Sequence, residues 1–372
     1  MERFRIRPEI YQFDTFKEFI EDIPLGEKDL LVTQKLIYEL FIKDLNLKCH
    51  VIFPREFGKG EPSDIMVDGI VNKVKDICYN RVIAAGGGTV IDTAKLLSLK
   101  KFDYVEQLFE DPSRVVRDKK LIIIPATCGT GSEVTNISIT TLTKKGTKLG
   151  IANDELFADK AVLIPGLIST LPFKFFCFSS IDALVHATEA FLSPKANDYT
   201  DIFAKKAISE ILKAFKTLMV KGQKERKNVE KEVLVASNYA GIAFGNAGTA
   251  AVHALAYPLS GTYHVAHGEA NYQFYSEVLK KYYDKNPKGK IKIFVEFVAD
   301  ILECNANVEV FEKIEELFAL MVPKKRLREY GMKESEISSF AISVEKEQQR
   351  LLVNNYVFLS VEEFKDIYRT LY

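Results

Sequence analysis

Asp182 and His186 stand four residues apart in IDALVHATEAF, and His253 and His267 stand fourteen apart in AVHALAYPLSGTYHVAHGEAN. Together they offer one carboxylate and three imidazoles, a donor set suited to a divalent transition ion. An Asp and a His at i and i+4 of a helix project from one face about a turn apart, so one ion can reach both. His253 and His267 are too far apart for a single helical pair, and Pro258, Gly261 and Gly268 around them predict a turn that folds the second imidazole back toward the first. Oxygen and nitrogen donors without a thiolate suit Fe(II), Zn(II), Co(II) or Mn(II). A lone Asp and His at this spacing on an amphipathic helix is more often a surface pair or a satisfied buried contact. The second block tips that balance, because four of the five histidines (His186, His253, His264, His267) fall within these two stretches.

A second chemistry is written in glycine. RVIAA (81–85) reads as a short buried strand, and Gly86-Gly87-Gly88-Thr89 follows it directly, before the helical VIDTAKLLSL. Such a turn lets the backbone approach a ligand with no Cβ in the way, while amides at the helix start favour a phosphate. It is not the G-x-G-x-x-G fingerprint, and alone it fits a tight βα turn equally well. A second loop, PATCGTGSEVT (125–135), also follows an apolar run, and its hydroxyls and amides can meet a ribose or nicotinamide edge. In isolation that loop is an ordinary hydroxyl-rich turn.

The elements that position these residues follow from pattern. Up to about residue 175, apolar runs (30–33, 50–53, 82–85, 121–125, 161–165) alternate with helical stretches (62–74, 90–99). That alternation predicts βαβ units on a mainly parallel sheet. Beyond it helical periodicity dominates, with Ile202, Phe203, Ala207, Ile208, Ile211, Leu212 and Phe215 on one predicted face. A chain of 372 residues is long for one core, so two domains are expected, at 1–175 and 176–372.

Lys and Arg total 51 against 51 Asp and Glu, without a basic stripe, which argues against a nucleic-acid partner. The start MERFRIRPEIYQFD is charged and broken by Pro8, unlike a signal peptide, and no apolar run approaches a membrane span. Five scattered cysteines with no C-x2-C pair fit neither a disulfide framework nor a zinc–thiolate site, so a reducing cytoplasm is expected.

Taken in order, GGGTVIDTAK, PATCGTGSEVT, DALVHATEAFLS and HALAYPLSGTYHVAHGEAN resemble the iron-containing alcohol dehydrogenase family, over roughly residues 10–370. The resemblance implies an α/β Rossmann-like nucleotide-binding domain followed by an all-α helical domain, an architecture shared with dehydroquinate synthase. It implies metal ligands at Asp182, His186, His253 and His267, the ion being Fe2+ or Zn2+. It implies NAD contacts at Gln34, Gly86, Gly87, Gly88, Thr89, Asp92, Thr127, Thr130, Lys148 and Leu171, with Phe244 as an aromatic near the nicotinamide. A homodimer acting on a small hydroxy acid or aldehyde follows from the same likeness. Within the family, LPFKFFCFSSIDALVHATEA, YHVAHGEANY, LREYGMKE and QQRLLVNNY resemble most the members that interconvert 4-hydroxybutyrate and succinate semialdehyde. The family's usual Thr-Gly before the ligand Asp is here Ser179-Ser180-Ile181, a frequent His is Tyr257, and a common Asn-Pro-Arg is Asn354-Asn355-Tyr356.

Polarisation of the substrate oxygen by the ion and hydride transfer with the nicotinamide would need no serine or cysteine nucleophile. His267 then counts as catalytic through the ion. His264 is a candidate proton relay, since an imidazole exchanges protons near neutrality, or a hydrogen-bond partner that orients His267. His264, Tyr263 and Lys174, with Arg350 and Asn354 further along, are candidate partners for a remote substrate carboxylate. Gln34 stands where the family often carries an Asp that repels a 2′-phosphate, so NAD is expected over NADP, with NADP the alternative. Two further alternatives are a general short-chain alcohol or diol dehydrogenase and a lyase of the dehydroquinate-synthase type. The lyase would be expected to carry Glu in place of Asp182. A binding protein without catalysis would have little reason to keep all four ligands.

Overall fold

The computed structural model describes residues 3–145 and 147–372. They form two compact units, 6–171 and 172–372, the second taking in residues 3–5 as well. Residues 173–175, expected to close the first domain, form the first turn of the helix Phe173–Leu192, whose N-cap is Pro172, and belong to the second unit.

The first unit is built on six strands: β1 (Glu9–Gln12), β2 (Asp29–Thr33), β3 (His50–Ile52), β4 (Arg81–Gly86), β5 (Lys120–Pro125) and β8 (Lys160–Leu163). They form one parallel sheet in the order β1-β8-β5-β4-β2-β3. The five runs expected as strands are all here. A parallel sheet must be covered on both faces, and the side-chain period of two divides β2, β4 and β5 accordingly. Leu31, Ile83 and Ile124 pack with Phe16, Phe19 and Ile37 on one face. Leu30, Val82 and Ile123 pack with Met66, Ile70, Val90 and Ala94 on the other. The Arg81 guanidinium grips both oxygens of Asp29 at 2.8 Å, pinning the register of β4 on β2, where the two residues are partners.

Two features escaped the pattern. Strand β1 lies at the sheet edge and is mostly exposed, so it carries no apolar alternation. The antiparallel ribbon of β6 (Ile137–Leu142) and β7 (Thr147–Ala152) alternates buried and half-buried residues along β6, but polar Ser and Thr occupy many of those places.

The second unit is helical, with no strand among its described residues. The helix Phe173–Leu192 is central, packed by Asp198–Lys221, Glu230–Ala247 and His267–Lys285. It is long and apolar enough to cross a membrane by composition, an exception to the sequence expectation, but 89% of its apolar window is buried inside the protein. On the helix Asp198–Lys221 the expected face is buried from Ala207 to Phe215, whereas Ile202 is exposed.

Candidate functional site

Asp182, His186, His253 and His267 come together, each offering one donor atom within 4.8 Å of all the others. Asp182 and His186 project from one face of the buried helix Phe173–Leu192, as their spacing requires. His253 sits in the first turn of the helix Ala251–Tyr263, and His267 opens the helix His267–Lys285. The turn between these last two is not at Pro258 and Gly261, which lie inside a helix, but at His264–Ala266, where His264 takes φ 54° and ends the helix. Gly268 brings the His267 helix against the Asp182 helix: a Cβ there would collide with the Phe178 carbonyl oxygen and lie 3.2 Å from the Asp182 Cβ.

Glu189 continues the face of Asp182 and His186 at i+7, and the sequence reading missed it. Its buried carboxylate accepts from the amides of Ala250 (2.8 Å) and Val252 (2.6 Å), satisfying donors at the start of the His253 helix, and from His253 Nδ1 at 2.6 Å. A carboxylate only accepts, so Nδ1 carries the proton and His253 presents the lone pair of Nε2. That atom lies 3.0 Å from Nε2 of His186, a separation that requires a proton or a cation between the two nitrogens. Asn271, one turn after His267, donates to Asp182 Oδ1 at 2.7 Å and reaches His267 Nε2 at 3.3 Å. Phe244 stacks on His186 with ring centroids 4.2 Å apart.

The donor set fits a divalent ion. Bonds of about 2.1 Å in tetrahedral array put donor atoms about 3.4 Å apart, and the 3.0 Å between the two Nε2 atoms and 3.6 Å between His267 Nε2 and Asp182 Oδ1 bracket that spacing. Two buried carboxylates, Asp182 and Glu189, balance a dication. Burial pushes the Asp182 carboxyl up, but the His267, His186 and His253 imidazoles outweigh it and hold it below the usual carboxylate range. The His267 side chain is 33% exposed against 4% for Asp182, so the group is open on the His267 side. Replacing Glu189 with Gln puts an amide donor among three donors and loosens the His253 tautomer; metal affinity, read by chelator competition, is expected to fall about 10- to 100-fold. Unchanged affinity would exclude an orienting role.

His264 is exposed and makes no hydrogen bond to His267; the orienting bond comes from Asn271 instead. Of the other candidate carboxylate partners, Tyr263 donates to Glu336 (2.5 Å) and Asn354 to the Thr249 carbonyl (2.9 Å), while Lys174 lies 3.7 Å from Glu269. Arg350 is exposed, and neither it nor His264 has an ion-pair partner among the described residues.

In the first unit the sheet order reverses between β2 and β4, the place where open α/β sheets bind ligands at their carboxyl ends. Gln34 follows β2, Gly87 follows β4 and Thr127 lies just past β5, and the register aligns these ends. A Cβ on Gly87 would press Thr127 Cγ2 at 3.0 Å and lie 3.8 Å from Gln34 Nε2, and one on Gly88 would sit 3.5 Å from Thr130 Cγ2. Gly86 cannot carry a side chain either, since Val90 is 2.7 Å from the Cβ position. The buried Thr127 hydroxyl has no hydrogen-bond partner among the described residues, so it is available to a ligand. Gly87 caps the helix Gly88–Leu97, whose first amides have no partner within the helix. These features fit a dinucleotide phosphate.

The other candidates are engaged elsewhere. Thr89 donates to the Gly60 carbonyl at 3.1 Å, and Lys148 pairs with Glu61 at 2.5 Å. Asp92 accepts from Ser132 Oγ and the Ile139 amide, both at 3.1 Å, and burial pushes its carboxyl up to about 6. Leu171, half-buried, ends the first unit beyond the carboxyl end of β8. Phe244 belongs to the second unit, with His186.

A parallel sheet with a glycine turn at its switch point, and a helical unit carrying a cluster of one aspartate and three histidines, describe a nucleotide-binding α/β unit joined to a helical unit with a candidate metal centre. The chain belongs to the iron-containing alcohol dehydrogenase family: residues 8–165 match the iron-containing alcohol dehydrogenase description, and residues 176–372 match the family's C-terminal part. It is 49% identical over 372 residues to a 4-hydroxybutyrate dehydrogenase of Clostridium kluyveri, covering 100% of both chains. It is 34% identical to long-chain-alcohol dehydrogenase 1 of Geobacillus thermodenitrificans, across 79% of this chain and 75% of that one. A sulfoacetaldehyde reductase from Bifidobacterium kashiwanohense, solved in complex with NAD+, shares the fold at a TM-score of 0.85 and 22% identity, over 100% of this chain and 98% of that one.

Proposed function

We propose that the protein is an NAD-linked, metal-dependent dehydrogenase interconverting 4-hydroxybutyrate and succinate semialdehyde. The observation that carries this is the intact Asp182, His186, His253 and His267 cluster in a chain that matches a 4-hydroxybutyrate dehydrogenase along its whole length. Bound in that cluster and at the glycine turn, a divalent ion would supply Lewis-acid stabilisation to the substrate oxygen and the nicotinamide would supply the hydride. The chain's own residues do the positioning. Glu189 fixes the His253 tautomer, Asn271 holds Asp182, and Phe244 presents an apolar ring beside His186. Gly87 and Gly88 admit the pyrophosphate to the helix N-terminus, with Thr127 and Thr130 packed against the turn and the unpartnered Thr127 hydroxyl available to it. His264, exposed and three residues before His267 in sequence, carries the proton to solvent.

The test is a screen of metal-reconstituted protein with NADH against succinate semialdehyde, glutarate semialdehyde, lactaldehyde and butyraldehyde. Fe2+ and Zn2+ are the ions to try first. A cytoplasmic homodimer fits the family and the five free cysteines.

Cofactor choice rests on Gln34, whose amide reaches the Gly87 turn. An amide bonds ribose hydroxyls without attracting a 2′-phosphate, so kcat/KM is expected to be higher with NADH than with NADPH. The neighbouring Lys35 is the group that would reverse this, and a higher value with NADPH would show that it does.

A further inference from the structure

We infer that Lys95 is a positioning residue for nucleotide binding: with Asp92 it clamps the loop carrying Thr127 and Thr130 onto the glycine-turn helix. This rests on the dinucleotide reading of that turn. Lys95 is wholly buried, and its ammonium has three donors for three acceptors: Ser132 Oγ at 2.8 Å, Thr135 Oγ1 at 3.3 Å and the Ile137 carbonyl at 2.6 Å. All three lie on the stretch that follows Thr130. Asp92, three residues earlier on the same helix, takes the Ser132 hydroxyl and the Ile139 amide, both at 3.1 Å. The Ser132 hydroxyl thus bridges the two charged groups. Its amide donates to Thr130 Oγ1 at 3.3 Å, which carries the grip to the residue packed against Gly88.

Burying a charge is costly unless every donor is met, and a methionine would fill the same space without that cost. What the ammonium adds is direction, since it holds three acceptors in one arrangement. The loop turns at Gly131, which takes φ 53°, and the Lys95 and Asp92 bonds fix the chain immediately beyond that turn. Asp92 accordingly serves the nucleotide through the loop.

The experiment is a fluorescence titration of the full-length, metal-loaded protein with NADH, wild type against Lys95→Met. The Kd is expected to rise about tenfold or more, with a matching rise in KM for NADH, while metal content, KM for the aldehyde and kcat at saturating NADH change less than about threefold. An unchanged Kd in a folded, metal-loaded variant overturns the inference, and so does a parallel loss of metal and aldehyde binding, which is general loosening. If Lys95→Met does not fold, Ser132→Ala breaks the bridge alone and is expected to raise the NADH Kd about threefold; no change there overturns the inference. Failure of wild type to bind either NADH or NADPH would remove the dinucleotide reading itself, a result distinct from equal binding by wild type and variant.

Discussion

Asp182→Asn is expected to lower kcat/KM for succinate semialdehyde about a thousandfold or more, the loss of several kcal/mol of transition-state stabilisation. The amide has the carboxylate's shape, and its oxygen can keep the 2.7 Å bond from Asn271, so the fold has no reason to change. What disappears is one of the two negative charges that balance a dication, leaving the cluster's one oxygen donor neutral. His267→Ala removes a ligand from the partly exposed side and is expected to have a comparable effect. Elemental analysis, steady-state kinetics and thermal melting together read the outcome. Full turnover by a variant shown to be metal-free would rule the mechanism out.

The second large effect is selectivity. Wild type is expected to prefer succinate semialdehyde over butyraldehyde by about a hundredfold or more in kcat/KM, because a site built to meet a charged group rejects an analogue that leaves its partners unpaired. Burying the substrate carboxylate requires a cation or several donors. Tyr263 and Asn354 already donate within the protein, and Lys174 has Glu269 nearby, so among these candidates Arg350 is the cation with no ion-pair partner among the described residues. Replacing the anchor should raise KM for succinate semialdehyde and leave butyraldehyde almost unaffected. Equal turnover of butyraldehyde, lactaldehyde and succinate semialdehyde by wild type would put a general alcohol dehydrogenase in place of the hydroxy-acid enzyme.

The ligand cluster was legible because helical pitch is local. Asp182 and His186 share a face by spacing alone, and an unusual concentration of histidines marks the other two. The same pitch reaches Glu189 at i+7 and Asn271 at i+4 from His267, but a single Glu or Asn on a helix carries no sign that it is buried. The turn between His253 and His267 was misplaced for a physical reason. Pro258 ordinarily breaks a helix at a cost of about 3 kcal/mol, yet here it lies inside one, whose residues Ala251–Ala256 and Leu259 are buried in the core. The two glycine loops were visible as loops. That Gln34, Gly87 and Thr127 meet depends on strand order and register, which no local pattern encodes. The grip of Lys95 on residues 132–137 belongs to the same class, since it joins segments about forty residues apart.

Gly268 sets the distance between Asp182 and His267 by letting two main chains touch, with no side chain as spacer. Main-chain geometry does not drift when neighbouring apolar residues are exchanged. The surrounding core is therefore free to evolve in composition while the ruler between these two residues stays fixed, and a single methyl group added at position 268 is enough to stretch it.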